Sequence, residues 1–291
     1  MKKSFLCLIA VFLILGGLTA VAGAAVSAQV DNGGMNFGHG DMLTISNGVG
    51  NNGAQVAADF YLALILPDTT PIFFEFSGSG LAASAATYDP STWKKLLSNV
   101  SLPSGLNTGL MPILYYVLGG AEPFGTYQTV FVVTKAGTLD VLDYTIAPFF
   151  VGSHSVSGIL GSYSGMWSDQ KFSSGTVNFL IADSQPGFLT IKTTLGGSVF
   201  GNSVALDPFT VSADLRSPSA IILSGGSGSF GTVTGTIGPD GSFQATVSSI
   251  PGGLIRSVDS SGTIRNGLLN LGYTINFIIY GHANGTLNAT R

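Results

Sequence analysis

The stretch "LNLGYTINFII", residues 269–279, decides the fold class. Leu269, Leu271, Tyr273, Ile275, Phe277 and Ile279 fall on one side of a two-residue repeat. Asn270, Gly272, Thr274 and Asn276 fall on the other. A period of two is the strand period, and one dry face opposite one wet face marks a half-buried antiparallel strand. The same alternation runs through Phe60, Leu62, Leu64 and Leu66, through Val177, Phe179 and Ile181, through Leu189, Ile191 and Leu195, and through Phe243, Ala245 and Val247. Turn signals separate these runs, "LPDTTP" at 66–71 and "GPDG" at 238–241. The 41 glycines suit many tight turns and few helices. The chain therefore reads as all-β.

One short helix is expected. Asp89 suits an N-cap and Pro90 the first helical position, and "STWKKLLSNV" then puts Trp93, Leu96, Leu97 and Val100 on one helical face. It reads as a flap on the first sheet, with Lys94 and Lys95 on a solvated side.

The first residues read as a secretory signal peptide. Lys2 and Lys3 precede an apolar run from Phe5 to about Val21, and two small-residue cleavage sites follow, Ala22-Gly23-Ala24 and Val26-Ser27-Ala28. Residues 1–28 are assigned to it. Its apolar run is short and broken by Gly16-Gly17, and no later segment is apolar enough to span a bilayer, so no transmembrane anchor is expected in the mature chain. The single cysteine, Cys7, lies inside this segment, so the mature chain has no disulfide, thiolate nucleophile or cysteine-ligated metal.

Charge excludes one class of partner. Without Lys2 and Lys3 the basic residues number 9 against 15 acidic. A nucleic-acid binder needs a basic footprint, and there is none. Charged residues are 9% of the chain, against roughly 25% in ordinary soluble proteins. The surface must be built from Ser, Thr, Asn and Gly, as in a β-rich exported protein or a subunit of an assembly.

The rhythm breaks at "APFFVGSHSVSGILG", 147–161. Domains follow: a β-sandwich at 29–147, a linker at 148–160, and an antiparallel barrel or barrel-like meander at 161–291.

Two resemblances support this division. "GDMLTIS", "ADFYLALILPD" and "FGTYQTVFVVTKAGTLD" occur in that order between residues 37 and 146. They resemble a β-sandwich module common in secreted bacterial proteins: a Gly-Asp strand, an Asp-hydrophobic-Tyr strand ending in Leu-Pro-Asp, and a Gly-Thr-Tyr strand ending in a Gly turn. The module implies no defined activity. The second half runs from "GSYSGMWS" through "GTVTGTIGPDGSF" and "SGTIRNG" to "GTLNATR". It resembles the Gly-rich, lipocalin-like meanders of secreted proteins, in which a Gly-x-Trp strand opens a barrel and a basic residue on the last strand covers the Trp. That layout implies Trp167 as a barrel plug beneath Arg291.

No motif carries chemistry. "GVGNNG" (48–53) and "GSGSFG" (226–231) fit G-x-G-x-x-G, but each is followed by a strand pattern where a dinucleotide site needs a helix. His39 is close enough to Asp41 in "GHGD" to be oriented by it, yet neither G-x-S-x-G nor H-E-x-x-H occurs. Asp31, Asp41, Asp59, Asp68, Glu75 and Asp89 could hold Ca²⁺ only if loops gathered them; otherwise they are turn residues. No catalytic, metal-binding or cofactor-binding residue is assigned.

The expected role is that of an exported, non-enzymatic protein of the cell surface, extracellular space or periplasm, acting in adhesion, assembly or scaffolding. Its partners would be a second copy or a surface glycan or matrix. One alternative is a binder of a small apolar ligand in the C-terminal barrel, lined by Tyr163, Phe179, Tyr273 and Phe277. Another is a polysaccharide-active enzyme with two facing carboxylates.

Overall fold

The structure, a computed structural model, describes residues 25–291 except 79, 172, 200, 201 and 206. The charged start, the apolar run, Cys7 and the first cleavage site lie outside the described residues. The chain is all-β. Its strands are β1 (Val26–Asp31), β2 (Asn36–Phe37), β3 (Met42–Asn51), β4 (Val56–Ile65), β5 (Pro71–Ser77), β6 (Gly80–Ala85), β7 (Leu97–Leu102), β8 (Leu106–Asn107), β9 (Met111–Val117), β10 (Gly125–Lys135) and β11 (Val141–Val151). There follow β12 (Gly161–Asp169), β13 (Ser174–Gln185), β14 (Phe188–Val199), β15 (Asn202–Ala205), β16 (Phe209–Asp214), β17 (Ile221–Ser227), β18 (Gly231–Ile237), β19 (Ser242–Ser248), β20 (Ile255–Arg265), β21 (Leu268–Phe277) and β22 (His282–Thr290).

The chain divides into two units. The first comprises residues 25–34 and 42–150, and the second residues 35–41 and 151–291. In the first unit, β3 pairs with β1, β8 and β9, while β11, β10, β4, β5 and β6 follow one another in a second antiparallel sheet, with β7 also on β4. Strand β4 is buried on both faces. Tyr61, Ala63 and Ile65 join Phe73, Val130 and Val132 in one cluster, and Trp93 stacks on Phe73. On the other face Phe60 stacks on Phe131.

The expected helix does not form. Asp89 does cap, accepting from the Ser91 amide at 2.9 Å, but only a three-residue 3₁₀ turn, Pro90–Thr92, follows. The chain then runs extended and adds β7 to the edge of β4, Ala57 opposite Ser101. The backbone groups of "LSNVSL" thus find partners in a sheet rather than in a helical ladder. Lys94 and Lys95 stay exposed as expected, while the Lys95 Nζ reaches to 2.7 Å from the buried Asp59 carboxylate.

The second unit is dominated by a barrel. Among the described residues ten strands close in the order β13, β12, β22, β21, β20, β19, β18, β17, β16, β14, and the β13–β14 pairing completes the ring. Strand β15 extends the free end of β14. First and last strands of the barrel pair as the sequence suggests, Gly165 opposite Ala289 and Trp167 opposite Leu287. Alternation decides the faces. Val233, Ile237, Ala245, Val247, Leu269, Ala283, Leu287, Val177 and Ile181 are buried, whereas Thr232, Thr234, Thr236, Asn270, Asn284, Thr286 and Asn288 between them are exposed. The apolar row therefore points inward. Glycines permit the tight coiling that closure needs. A Cβ on Gly165 would collide with the Asn288 carbonyl, and one on Gly262 with the Asn270 carbonyl.

The division between the units, at 150/151, falls within residues 148–160, read from sequence as a linker, and this segment is itself ordered by contacts. Phe149, Phe150 and Val151 finish β11 in buried positions, and Val156 and Ile159 are buried in the second unit. Asp41 holds this turn: its carboxylate accepts from the amides of Gly38 (2.8 Å) and Val156 (2.9 Å) and from the hydroxyls of Ser155 (2.5 Å) and Ser157 (2.6 Å). That is why the second unit includes residues 35–41, far from the barrel in sequence. Asp41 therefore does not orient His39, which is exposed. Two other early carboxylates serve turns too. Asp31 accepts from Gly33 N and Asp68 from Thr70 N. No group of three or more metal-ligating side chains gathers among the described residues.

Candidate functional site in the barrel

The register sorts the four aromatic residues expected to line a cavity. All four stand on the inward row of their strands, but they form two groups. Tyr163 is directly opposite Phe179. Tyr163 is fully buried, and its hydroxyl donates to the Ile159 carbonyl at 2.9 Å. Tyr273 and Phe277 lie towards the other end of the barrel, where β21 turns into β22. Asp169, in that second region, is six residues from Tyr163, about 20 Å along the strand. The interior is thus lined along its length rather than at one spot.

The Tyr163 end is closed. Arg291 Nη1 donates to the carbonyls of Ser157 (3.0 Å) and Leu160 (2.8 Å), pinning the 155–160 turn. Burial raises the pKa of the Tyr163 phenol, and the nearby Arg291 charge works against that rise. Arg291 does not cover Trp167. The indole stands opposite Leu287, four residues from Arg291 and about 13 Å away along β22. Its Nε1 donates instead to the Gly196 carbonyl at 3.2 Å. The expected Trp–Arg plug is replaced by Tyr163 and Arg291 at one end, with Trp167 held to the Gly196 carbonyl nearer the other.

The interior is not packed solid. Trp167, Phe179, Ile191, Leu195, Phe243, Val258, Ser260, Leu271 and Tyr273 all face inward, yet each is only half-buried. Eight strands make a barrel that side chains just fill, and ten make a wider one. At the end opposite Arg291 the loops carry apolar side chains into solvent. Leu254, Ile278, Ile279 and Tyr280 are exposed, the last two by 78% and 73%, and Ile278 N donates to Leu254 O. Ile279 was expected to continue the inward row of β21; the strand instead ends at Phe277, whose amide closes the turn onto Gly281 O at 2.9 Å.

Near this end one inward row carries Asp169, Tyr273 and, opposite Tyr273, Ser260, whose hydroxyl donates to the Ala245 carbonyl at 3.0 Å. Asp169 is the last residue of β12, opposite Gly285, and Tyr273 on β21 is opposite the same glycine. Gly285 makes the juxtaposition possible: a Cβ there would strike the Tyr273 ring and hydroxyl. The phenol so lies across β22 towards β12. Asp169 Oδ1 accepts from the amides of Lys171 (2.6 Å) and Ser173 (3.1 Å). Asp169 Oδ2 and Tyr273 Oη are both buried and have no hydrogen-bond partner. Burial, helped by the Asp169 charge, pushes the Tyr273 phenol far up, so it remains a hydroxyl and a donor at neutral pH. Asp169 was not singled out in the sequence, although "GSYSGMWSD" places it on the same side of the alternation as Tyr163 and Trp167.

On the outer face, a groove of about 790 Å³ crosses β18 to β22. Its walls are Thr234, Thr246, Asp259, Thr274 and Asn284 on one side and Thr236, Gln244 and Ser261 on the other.

No family model and no curated protein matches this chain. Among solved structures, Rv2717c from M. tuberculosis is similar at 16% identity with a TM-score of 0.36, covering 47% of this chain and 95% of its own. The sporulation control protein Spo0M from Bacillus subtilis is similar at 11% identity with a TM-score of 0.28, covering 60% of this chain and 80% of its own.

Proposed function

We propose that this is an exported binding protein whose C-terminal barrel holds a small, largely apolar ligand. The observation that carries the proposal is the set of inward side chains that stay only partly buried in a ten-strand barrel, with Trp167 and Phe179 among them. The apolar rim of Leu254, Ile278, Ile279 and Tyr280 supports entry from that end. Buried apolar contact supplies the affinity, at about 25 cal/mol per Å² before the costs of association. In the same reading the two N-terminal sheets are layers of a sandwich that carries the barrel at the cell surface or outside the cell. Export fits the start of β1: cleavage after Ala24 leaves that strand whole, whereas cleavage after Ala28 removes Val26, which is 3% exposed and pairs with Asn51.

The test uses the full chain from Ala25 with Trp93→Phe, so that Trp167 is the remaining indole. Titration with N-phenyl-1-naphthylamine should give saturable, one-to-one enhancement of the probe with matching quenching of Trp167. Unchanged emission from both groups at micromolar probe would sink the proposal.

A second reading, surface adhesion or scaffolding, is favoured by the outer groove. Its Thr, Ser, Asn and Gln side chains and the Asp259 carboxylate suit the hydroxyls of a glycan.

A further inference from the structure

Resting on that reading, we infer that the ligand carries a hydrogen-bond-donating head, an alcohol or a protonated amine and not a carboxylate, seated between Asp169 and Tyr273. Two observations converge. A buried polar atom without a partner costs free energy, and native interiors hold few of them. Here two such atoms stand on the same inward face, on either side of one glycine, in a barrel whose other inward groups are mainly apolar.

Their chemistry defines the head. Asp169 Oδ1 is already held by the Lys171 and Ser173 amides, so Oδ2 is the acceptor left without a partner. Tyr273 Oη can donate or accept. A ligand hydroxyl satisfies both at once, taking the phenol proton and giving its own to the carboxylate. An ammonium gives one proton to each oxygen and gains the attraction of the Asp169 charge. A carboxylate can take the phenol proton but is repelled by Asp169, and Lys171, the nearest cation in sequence, is exposed on the loop beyond. The half-buried indole of Trp167, two residues along the same inward row, would lie against the apolar body next to the head. Gly285 is the third requirement, because any side chain there displaces the Tyr273 ring.

The experiment displaces bound N-phenyl-1-naphthylamine with three ten-carbon chains, decylamine, 1-decanol and decanoate. The amine and the alcohol should displace the probe at about tenfold lower concentration than decanoate, the usual size of one hydrogen bond to a charged group. In Asp169→Asn the side-chain carbonyl can still cap Lys171 and Ser173, so circular dichroism should be unchanged while the amine preference shrinks to within about threefold. Tyr273→Phe should weaken the alcohol most. Equal displacement by all three chains in the wild type overturns the inference and leaves the barrel-ligand reading standing. A preference that survives both substitutions means that only water bridges the two groups, and it also overturns the inference. Failure of the naphthylamine itself to bind overturns both.

Discussion

Strands β4 and β21 carry the same alternating, apolar kind of sequence, yet they end in opposite environments. In β4 the run Asp59–Ala63 is buried at every position, because one face meets Phe131 and the other meets Tyr61's cluster under Trp93. In β21 Leu269 alone is buried, and Leu271, Tyr273 and Ile275 keep part of their surface open. The difference lies in what covers each strand. The first unit brings side chains onto both faces of β4 and fills the space. The second bends one sheet into a ring of ten strands, and several of its inward side chains keep part of their surface open. A fully buried strand contributes more transfer free energy than a partly open one.

The contrast is broken most directly by truncating equivalent leucines. Leu62 is 0% exposed, so Leu62→Ala should cost about 2–5 kcal/mol. Leu271→Ala should cost about 1 kcal/mol, since a half-exposed leucine has only part of its transfer energy to lose and its removal widens an existing space. Urea unfolding followed by circular dichroism measures both. Equal losses would mean that the barrel is packed as tightly as the first unit.

A smaller effect sharpens the same comparison through the buried carboxylate of Asp59. Asp59 is satisfied: besides Lys95, it accepts from the amides of Asn99 (2.7 Å) and Gly137 (2.8 Å). Burial alone would raise its pKa, but the Lys95 hydrogen bond and the two amides outweigh burial and hold it below the ordinary 3.8. A carboxyl whose folded pKa lies below its unfolded one stabilises the fold above the unfolded value. That stability drains away as pH falls through the folded value. Asp59→Ala should cost about 2–3 kcal/mol at pH 7 by leaving buried donors unmatched. Asp59→Asn should flatten the fall in stability below about pH 4. If the acid limb keeps the wild-type slope in Asp59→Asn, the carboxylate is not the group that titrates there.

The smallest expected effect is a zero. With Trp167 and Arg291 separated by the β12–β22 register, the double variant Trp167→Ala, Arg291→Ala should show additive losses within about 0.3–0.5 kcal/mol. A larger coupling would place the guanidinium on the indole after all and would close the interior that the ligand reading needs.

Much of the fold is legible in residue order alone. Period-two alternation, with glycine and Pro-Asp turns between the runs, is a local property, and it correctly specifies an all-β chain whose barrel points Leu269, Leu287 and Val177 one way and Thr and Asn the other. The pairing of the "GSYSGMWS" strand with the last strand also follows from closing such a meander. The failures have one cause, because they depend on partners remote in sequence. "STWKKLLSNV" has helical spacing, but the free edge of β4 offered its backbone a ladder, and Asp59, 36 residues away, drew in Lys95. The 148–160 segment lacks a strand pattern, but Asp41 and Arg291 supply it with hydrogen bonds from opposite ends of the chain. Trp167 and Arg291 share an inward row, yet pair register, not parity, decides distance along a strand, and it sets them about 13 Å apart. Asp169 and Tyr273 are 104 positions apart, and neither has a motif. They share one cross-strand row because both strands flank β22 at Gly285, the one place on that strand where a missing side chain leaves the phenol a path. Sequence determined which faces are dry; only closure of the ring determined what stands beside what inside it.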